Sequence, residues 1–179
     1  DSKKYKKIIE KNKIQVPFLR PKNISKDTST DLQFVQHCLK YLHDYEKYKP
    51  DFIVHLRPTS PLRKIKHIKK GLSILIKNNN FDSVKSITYS DHSVFKTWFK
   101  DKQNLIYPVV KKNKKFHEPF NMPRQLLKNS FQQTALFDIY REKIVSKRNI
   151  LNGIRIFGFL TEKYIDIDNM EDIKKSNDY

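Results

Sequence analysis

The pattern between Phe52 and Thr88 constrains the fold of this chain more than any other sequence feature. Phe52 to Leu56 is an apolar run broken only by His55, which is typical of a buried strand. Ile65 to Lys77 carries apolar residues at helical spacing, and Phe81 to Thr88 is again strand-like. A strand, a helix and a strand in succession predict a βαβ unit in a parallel sheet with helix-covered faces.

Further elements are predicted on both sides of this unit. Thr30 or Asp31 can cap a long helix that runs through Tyr48, and Pro50 follows it. The whole chain, 1–179, is predicted to be one α/β domain with an arm inserted at about 92–130. The remaining predicted elements are a helix at 2–12, a strand-like run at 16–19, paired strands at 94–99 and 105–110, strands at 132–140 and 154–160, and a strand running into a helix at the C-terminal end.

Composition excludes several classes of protein. The chain has one cysteine, Cys38, so it has no internal disulfide framework and no multi-cysteine zinc site. No apolar run approaches the roughly 20 residues that a membrane-spanning helix needs. The first residues, DSKKYKKIIEKN, contain no apolar signal-peptide region. We therefore expect a cytoplasmic protein with no membrane partner.

The charge is strongly positive, with 37 Lys and Arg against 19 Asp and Glu, a net charge of +18. Such a balance is compatible with a nucleic acid or another anionic partner. The lysines are scattered, however, and the chain has one alanine and three glycines, a composition typical of an AT-rich coding bias. A solvated basic surface is the favoured interpretation, which leaves a phosphate-bearing ligand open and disfavours nucleic acid.

Two carboxylates, Asp166 and Asp168, occur two residues apart near the C-terminal end. On a strand they point to the same face, where they repel each other unless a cation lies between them. Carboxylate oxygens suit Mg²⁺, which also takes phosphate oxygens. The alternative is that Asp168 caps the following helix while Asp166 is an ordinary surface residue.

Two polar loops are candidate ligand-binding segments. The loop from Arg57 to Arg63 follows the strongest strand, and ligands of α/β sheets usually bind at the carboxyl ends of strands. Arg20, with the hydroxyls of Ser29 and Thr30, can receive a base or an anion. The alternatives are a stiff connection for the first loop and a simple helix N-cap for the second. Lys96, Arg124 and Gln125 are individually weak candidates.

Five segments of the chain resemble the acylneuraminate cytidylyltransferases, also called CMP-sialic acid synthetases. They are VPFLRP…KDTST, HLRPTSPLR, HSVFKT, PRQ and DIDNMEDI, and they extend across nearly all of the sequence. The resemblance implies an α/β, Rossmann-like nucleotide-diphospho-sugar transferase fold, with a mostly parallel sheet and a protruding dimerisation arm. It also implies an enzyme that joins CTP to a nine-carbon acidic sugar, releasing pyrophosphate and forming a CMP-sugar, with Mg²⁺ as cofactor and a homodimer as assembly.

The resemblance also assigns roles by position. The protein is expected to stabilise the charge that develops when the sugar hydroxyl attacks the α-phosphate. Lys96 and Arg124 are expected to reach from the arm toward the sugar of the neighbouring subunit. The implied residues are Arg20, Ser29 and Thr30 for the nucleotide, Arg57, Gln125 and Gln132 for the sugar, Lys96 and Arg124 for catalysis, and Asp166 and Asp168 for Mg²⁺.

Three departures from the family pattern leave alternatives open. Arg57 stands where these enzymes often have Gln, so a sugar phosphate is an alternative substrate. The family motif of an aromatic residue followed by Arg-Pro-Asn-Gly is here Phe131 to Ala135, with Gln132 in place of the arginine. The family's N-terminal phosphate-binding loop has no counterpart, so we expect an N-terminally truncated, inactive chain. A non-catalytic basic binding module is the alternative from another class.

Overall fold

The computed structural model describes residues 1–112, 115–162, 166–167 and 169–177, which form an α/β fold around a mixed sheet. The mostly parallel α/β class predicted from the sequence is confirmed. The helices are α1 (Lys3–Lys11), α2 (Asp31–Glu46), α3 (Ile65–Lys77), α4 (Glu142–Arg148) and α5 (Met170–Asn177), and the strands are β1 (Phe52–His55), β2 (Ser83–Tyr89), β3 (Trp98–Lys100), β4 (Ile106–Pro108), β5 (Phe131–Arg141) and β6 (Ile156–Leu160).

The main sheet has the strand order β1-β5-β2-β6. Strand β2 is parallel to β6, and β5 is antiparallel to both β1 and β2. Strands β1, β2 and β6 therefore run in one direction, as the βαβ pattern predicts. Strands β1 and β2 are not neighbours in the sheet, because β5, from much later in the chain, lies between them and pairs with both.

Helices cover both faces of this sheet, as the sequence predicts. Ile139 and Tyr140 are consecutive on β5 and fully buried, and consecutive strand residues face opposite sides. Ile139 packs with Leu75 of α3, whereas Tyr140 packs with Val35 of α2 and Val145 of α4. The sheet is thus held between α3 on one side and the pair α2 and α4 on the other.

Local sequence signals place most helix boundaries correctly. Helix α3 has the predicted bounds, and Thr30 forms a capping box with Gln33 at the start of α2. Helix α2 ends at Glu46 rather than Tyr48, because Lys47 adopts a left-handed conformation with φ 53°. Helix α4 is absent from the prediction, although Glu142 in its first turn and Arg148 in its last complement the helix dipole.

One predicted strand is absent, and another is only partly described. Residues 16–19 have no regular structure, because Pro17 lacks an amide donor, and Phe18 packs its ring on His37 and Tyr41 of α2 instead. Asp166 and Ile167 are also outside any strand. The rest of the predicted C-terminal strand, residues 163–165 and 168, lies outside the described residues.

The inserted segment between β2 and β5 forms its own two-stranded sheet. Strands β3 and β4 pair in antiparallel fashion around a turn in which Asp101 accepts hydrogen bonds from the backbone of Gln103 and Leu105. This sheet does not pair with the main sheet in the described part of the chain. Within that same part, no helix has the length and apolar character required to cross a membrane.

An irregularity in β5 lies directly before the buried part of that strand. Lys85 is opposite Asp138 but Ile87 is opposite Gln133, so β5 bulges between them. The hydroxyl of Ser86 accepts from the Phe137 amide at 3.2 Å and donates to the Phe137 carbonyl at 2.8 Å. Ala135 lies in the bulge at φ 54°, a left-handed conformation that favours glycine. In the family motif matched by position, this residue is glycine.

We expect Ala135→Gly to raise the free energy of unfolding by up to about 1 kcal/mol, since a left-handed residue with a Cβ costs roughly 1–2 kcal/mol and part of this is offset by chain entropy. Ala135→Val should instead lower it by more than about 1 kcal/mol, because β-branched residues tolerate positive φ least. Urea unfolding of the original protein and the two variants measures the order of their free energies of unfolding. Equal stability of the valine and glycine variants would contradict the assigned conformation.

A buried carboxylate joins β2 to the loop before β6. Asp82 accepts hydrogen bonds from the amides of Ile154 at 2.9 Å and Arg155 at 3.0 Å. Gly153, at φ 73°, packs so closely that an added Cβ would lie 2.5 Å from the Asp82 Cβ. The Arg155 amide, and then the Ile154 amide, lower the pKa of Asp82 against the opposing effect of burial.

This lowered pKa predicts an acid-dependent loss of stability. A carboxylate with a depressed folded-state pKa stabilises the fold above its unfolded pKa, and this contribution disappears as the pH falls below about 4. We expect Asp82→Asn to cost about 1–2 kcal/mol at pH 7 and less at pH 3. Urea unfolding at both pH values measures the difference, with exposed Asp27→Asn as the matched control. An equal cost at both pH values would contradict this account.

Candidate functional site

The loop that follows β1 and the segment that follows β6 meet at one end of the sheet, beyond the last residues of both strands. The amide of Ile167 donates to the carbonyl of Thr59 at 2.8 Å. The hydroxyl of Ser60, which is fully buried, lies 3.5 Å from Oδ1 of half-buried Asp166. Because β1 and β6 run in the same direction, both segments lie at the carboxyl ends of their strands. The structure thus brings together two of the three segments that the sequence singles out.

Arg57 is the centre of an ion-pair cluster beside this end of the sheet. Its Nη1 donates to Oδ2 of Asp138 at 2.9 Å, and its Nη2 donates to Oδ2 of Asp31 at 2.5 Å. Nζ of Lys85 lies 3.3 Å from both Asp138 oxygens and 3.3 Å from Oε1 of Gln133. The loop, the first turn of α2 and strands β2 and β5 all contribute to this cluster.

The cluster is balanced in charge, with two cations and two carboxylates. Desolvation opposes the charge of Arg57, but the hydrogen bonds to Asp138 and then Asp31 outweigh it and raise the pKa of Arg57. Asp138 has 1% of its surface exposed, and a carboxylate buried to this extent destabilises the fold unless it is paired. Arg57 is therefore not a free cation in this structure.

Two neutral groups extend the cluster into the core. The Tyr140 hydroxyl donates to Oδ2 of Asp138 at 3.2 Å, and Nδ1 of His55 lies 3.2 Å from that hydroxyl. Burial and then the charge of Asp138 raise the pKa of Tyr140. Burial and then the charge of Arg57 lower the pKa of His55, so the imidazole is neutral near pH 7. Both groups serve as uncharged hydrogen-bond partners.

A second arginine attaches the loop to the sheet. Nε of Arg63 donates to the carbonyl of Leu136 at 3.0 Å, and its Nη2 donates to the carbonyl of Arg57. Pro58 and Pro61 restrict the backbone between the two arginines. The loop is thus a rigid element whose geometry is set by β5.

The candidate nucleotide residues lie around the start of α2. Ser29 accepts from the Lys26 amide at 2.9 Å, and Thr30 caps α2, as in the alternative interpretation of this segment. Nη2 of Arg20 donates to Asp1 at 2.9 Å, and its guanidinium lies 5.7 Å from the centre of the Phe34 ring. Asp31, which contacts Arg57, directly follows Thr30, so Thr30 lies next to the cluster.

The candidate residues of the arm are exposed. Lys96 and Arg124 lie in short 3-10 turns, and Gln125 belongs to the second of these. Gln132 is exposed on β5 opposite Thr88 of β2. Among the described residues, no hydrogen bond or ion pair joins these four side chains to the Arg57 cluster, although Gln132 directly precedes Gln133, which contacts Lys85.

The candidate metal ligands are only partly described. Asp166 places a carboxylate beside the Ser60 hydroxyl, and oxygen donors of this kind suit Mg²⁺. Asp168 lies outside the described residues. Among the residues that are described, no group of three or more His, Cys, Asp and Glu side chains is placed to hold a metal ion.

Sequence reasoning missed the other members of the Arg57 cluster. Lys85 is the charged residue of the otherwise uncharged β2, and Asp138 lies within the apolar part of β5, where charged residues are almost never buried unless they are paired. That signal could have identified them. Their pairing with each other could not be read from the sequence, because it depends on β5 lying beside β2.

One curated relative matches part of the chain. The match is 30% identical over 73 residues to N-acylneuraminate cytidylyltransferase of Escherichia coli O18:K1:H7 (strain RS218 / NMEC). It covers 41% of this chain and 16% of that protein, so the aligned stretch spans about a sixth of the relative. No protein-family profile matches the chain.

Two solved structures share the fold. One is CMP:2-keto-3-deoxy-manno-octonic acid synthetase complexed with CTP, at TM-score 0.64 and 11% identity, over 99% of this chain and 77% of that one. The other is 4-diphosphocytidyl-2C-methyl-D-erythritol synthase from Anaerococcus prevotii DSM 20548, at TM-score 0.57 and 14% identity, over 98% of this chain and 77% of that one. At these identities the similarity establishes the fold alone.

Proposed function

We propose that this chain is a cytidylyltransferase that transfers CMP from CTP to a nonulosonic sugar acid, giving a CMP-sugar and pyrophosphate. The observation that carries the proposal is the contact between the RPTSPLR loop and the Asp166 segment at the carboxyl ends of β1 and β6. Both segments belong to the sequence resemblance, and α/β sheets usually bind their ligands at the carboxyl ends of the strands. The named relatives and neighbours, which include a CTP complex, support the choice of nucleotide.

Asp166 and Asp168 would hold Mg²⁺ in the proposed enzyme. When bound there, the ion would neutralise negative charge on the triphosphate and the departing pyrophosphate. Arg20 and the Ser29-Thr30 stretch would orient the cytidine, and the rigid loop would hold the sugar beside it. Positioning of this kind supplies much of the rate enhancement in phosphoryl transfer.

The charge balance around Arg57 favours a sugar acid over a sugar phosphate. Arg57 already contacts two carboxylates, and Lys85 shares one of them. A phosphate dianion that entered this cluster would find no unpaired cation to contact. A ligand with a single carboxylate can instead take the place of one of the two carboxylates already there. Gln132 and Gln125 would add neutral hydrogen-bond partners for the sugar.

The arm supports the proposed homodimer. Its side chains Trp98, Phe99, Ile106 and Tyr107 are 40%, 65%, 56% and 45% exposed. A cluster of exposed large apolar residues is typical of an interaction surface. In such a dimer, Lys96 and Arg124 would act in catalysis on the sugar bound to the partner subunit.

Pyrophosphate release from CTP tests the proposed reaction. The assay combines CTP, Mg²⁺ and, in turn, N-acetylneuraminate, 2-keto-3-deoxy-octonate and a sugar phosphate. We expect release with N-acetylneuraminate or 2-keto-3-deoxy-octonate, and none with the sugar phosphate alone. Release with the sugar phosphate but neither acid would contradict the proposed substrate class.

A further inference from the structure

The two carboxylates that Arg57 holds differ in their environment. The side chain of Asp138 is 2% exposed and also contacts Lys85 and Tyr140. The side chain of Asp31 is 46% exposed and accepts a hydrogen bond from Nη2 of Arg57. Arg57 itself is 25% exposed, so a dissolved ligand can reach it from the side of Asp31.

These environments make one ion pair permanent and the other exchangeable. Breaking a buried pair leaves an uncompensated charge and costs several kcal/mol, whereas an exposed pair contributes roughly 0–1 kcal/mol. Asp31 also lies in the first turn of α2, where the helix dipole stabilises a negative charge without Arg57. Asp31 can therefore release Arg57 at little cost.

We propose that Asp31 masks a carboxylate-binding position on Arg57 and that an acidic ligand binds by exchanging its own carboxylate for that of Asp31. Asp138 keeps Nη1 and holds the guanidinium in place, while Nη2 changes partner. The identification of the ligand as a sugar acid rests on the proposed function, but the exchange itself requires only a carboxylate.

This exchange makes Arg57 selective. A ligand without a carboxylate that displaces Asp31 leaves Nη2 unpaired. An unpaired polar group in a binding site lowers the affinity for such a ligand strongly. A ligand that bears a carboxylate restores the pair. The structure thus assigns Asp31 a specificity-determining role, because a ligand binds here only if its carboxylate competes successfully with that of Asp31 for Arg57.

Binding of two sugars to Asp31→Asn tests the proposal without requiring catalysis. The probes are N-acetylneuraminate, which carries a carboxylate, and N-acetylmannosamine, which does not, each titrated by calorimetry or ligand-observed NMR. We expect the variant to bind N-acetylneuraminate roughly three- to fivefold more tightly, the equivalent of an exposed ion pair. Affinity for N-acetylmannosamine should stay unchanged.

Two further variants separate this effect from a general change in charge. Asp44→Asn removes a carboxylate paired with Lys40 on the same helix, away from Arg57, and should leave both affinities unchanged. Adding Arg57→Gln to Asp31→Asn should abolish the gain. An equal gain for both sugars, a gain that survives Arg57→Gln, or no N-acetylneuraminate binding in either protein would overturn the proposal. CTP binding, measured separately, reports on the proposed function.

Discussion

Replacement of Asp138 by asparagine is expected to lower the free energy of unfolding by about 3–5 kcal/mol, the cost of removing one member of a buried ion pair. The carboxylate accepts from Arg57, Lys85 and Tyr140, and it has 1% of its surface exposed. Its loss leaves two cations close together, and the exposed carboxylate that remains, Asp31, pairs with Arg57 and not with Lys85. Thermal unfolding should show a melting temperature lower by about 10 °C.

A matched pair of variants tests whether burial is the cause. Asp31→Asn removes the other carboxylate of the same arginine but should cost less than about 1 kcal/mol, because that side chain is 46% exposed. Arg57→Gln added to Asp138→Asn should recover part of the loss, since the unpaired cation is removed as well. Equal costs for Asp31→Asn and Asp138→Asn would contradict the cluster described here.

The second large effect concerns Mg²⁺-dependent nucleotide binding and rests on the proposed function. Asp166→Asn is expected to weaken CTP binding in the presence of Mg²⁺ by at least about tenfold. Loss of a residue that merely hydrogen-bonds to a metal ligand already lowers metal affinity or activity by roughly 10- to 100-fold. Without Mg²⁺ the variant should bind CTP no worse than the original protein. Calorimetric titration with and without the ion measures both values.

Glu162→Gln is the matched control for that experiment. It removes a carboxylate four residues earlier in the chain, one that is 75% exposed and paired with Lys64 at 2.6 Å. Its Mg²⁺-dependent CTP affinity should be unchanged. If both variants weaken binding equally, the effect is one of general charge, and Asp166 has no special role.

The elements that the sequence predicts well are those fixed by local interactions. Helix α3 follows from its apolar spacing, and the start of α2 follows from Thr30 and Gln33, because these signals lie within a few residues. Residues 16–19 show the limit of such reasoning. Their apolar pattern is satisfied by packing Phe18 on α2, so burial occurs without a strand.

The long-range features could not be predicted in this way. Strand β5 lies between β1 and β2 although the chain reaches it more than forty residues after β2 begins. Asp31, Arg57 and Asp138 come together only because of that order, at sequence separations of 26 and 81 residues. The contact between Ser60 and Asp166 spans 106 residues. Only the family resemblance assigned the loop that contains Ser60 and the Asp166 segment to one site.

Nucleotide selectivity of the 179-residue chain tests the central claim most directly, because the residues proposed to orient the cytidine, Arg20, Ser29 and Thr30, all lie within it. CTP, UTP, ATP and GTP are titrated separately with Mg²⁺, and a single-stranded oligonucleotide serves as a probe of general affinity for anions. We predict one site that prefers CTP over the purine nucleotides by roughly tenfold or more, about 1.4 kcal/mol. Equal affinity for all four nucleotides, or tighter binding of the oligonucleotide, would contradict a cytidylyltransferase site and would favour a basic binding module.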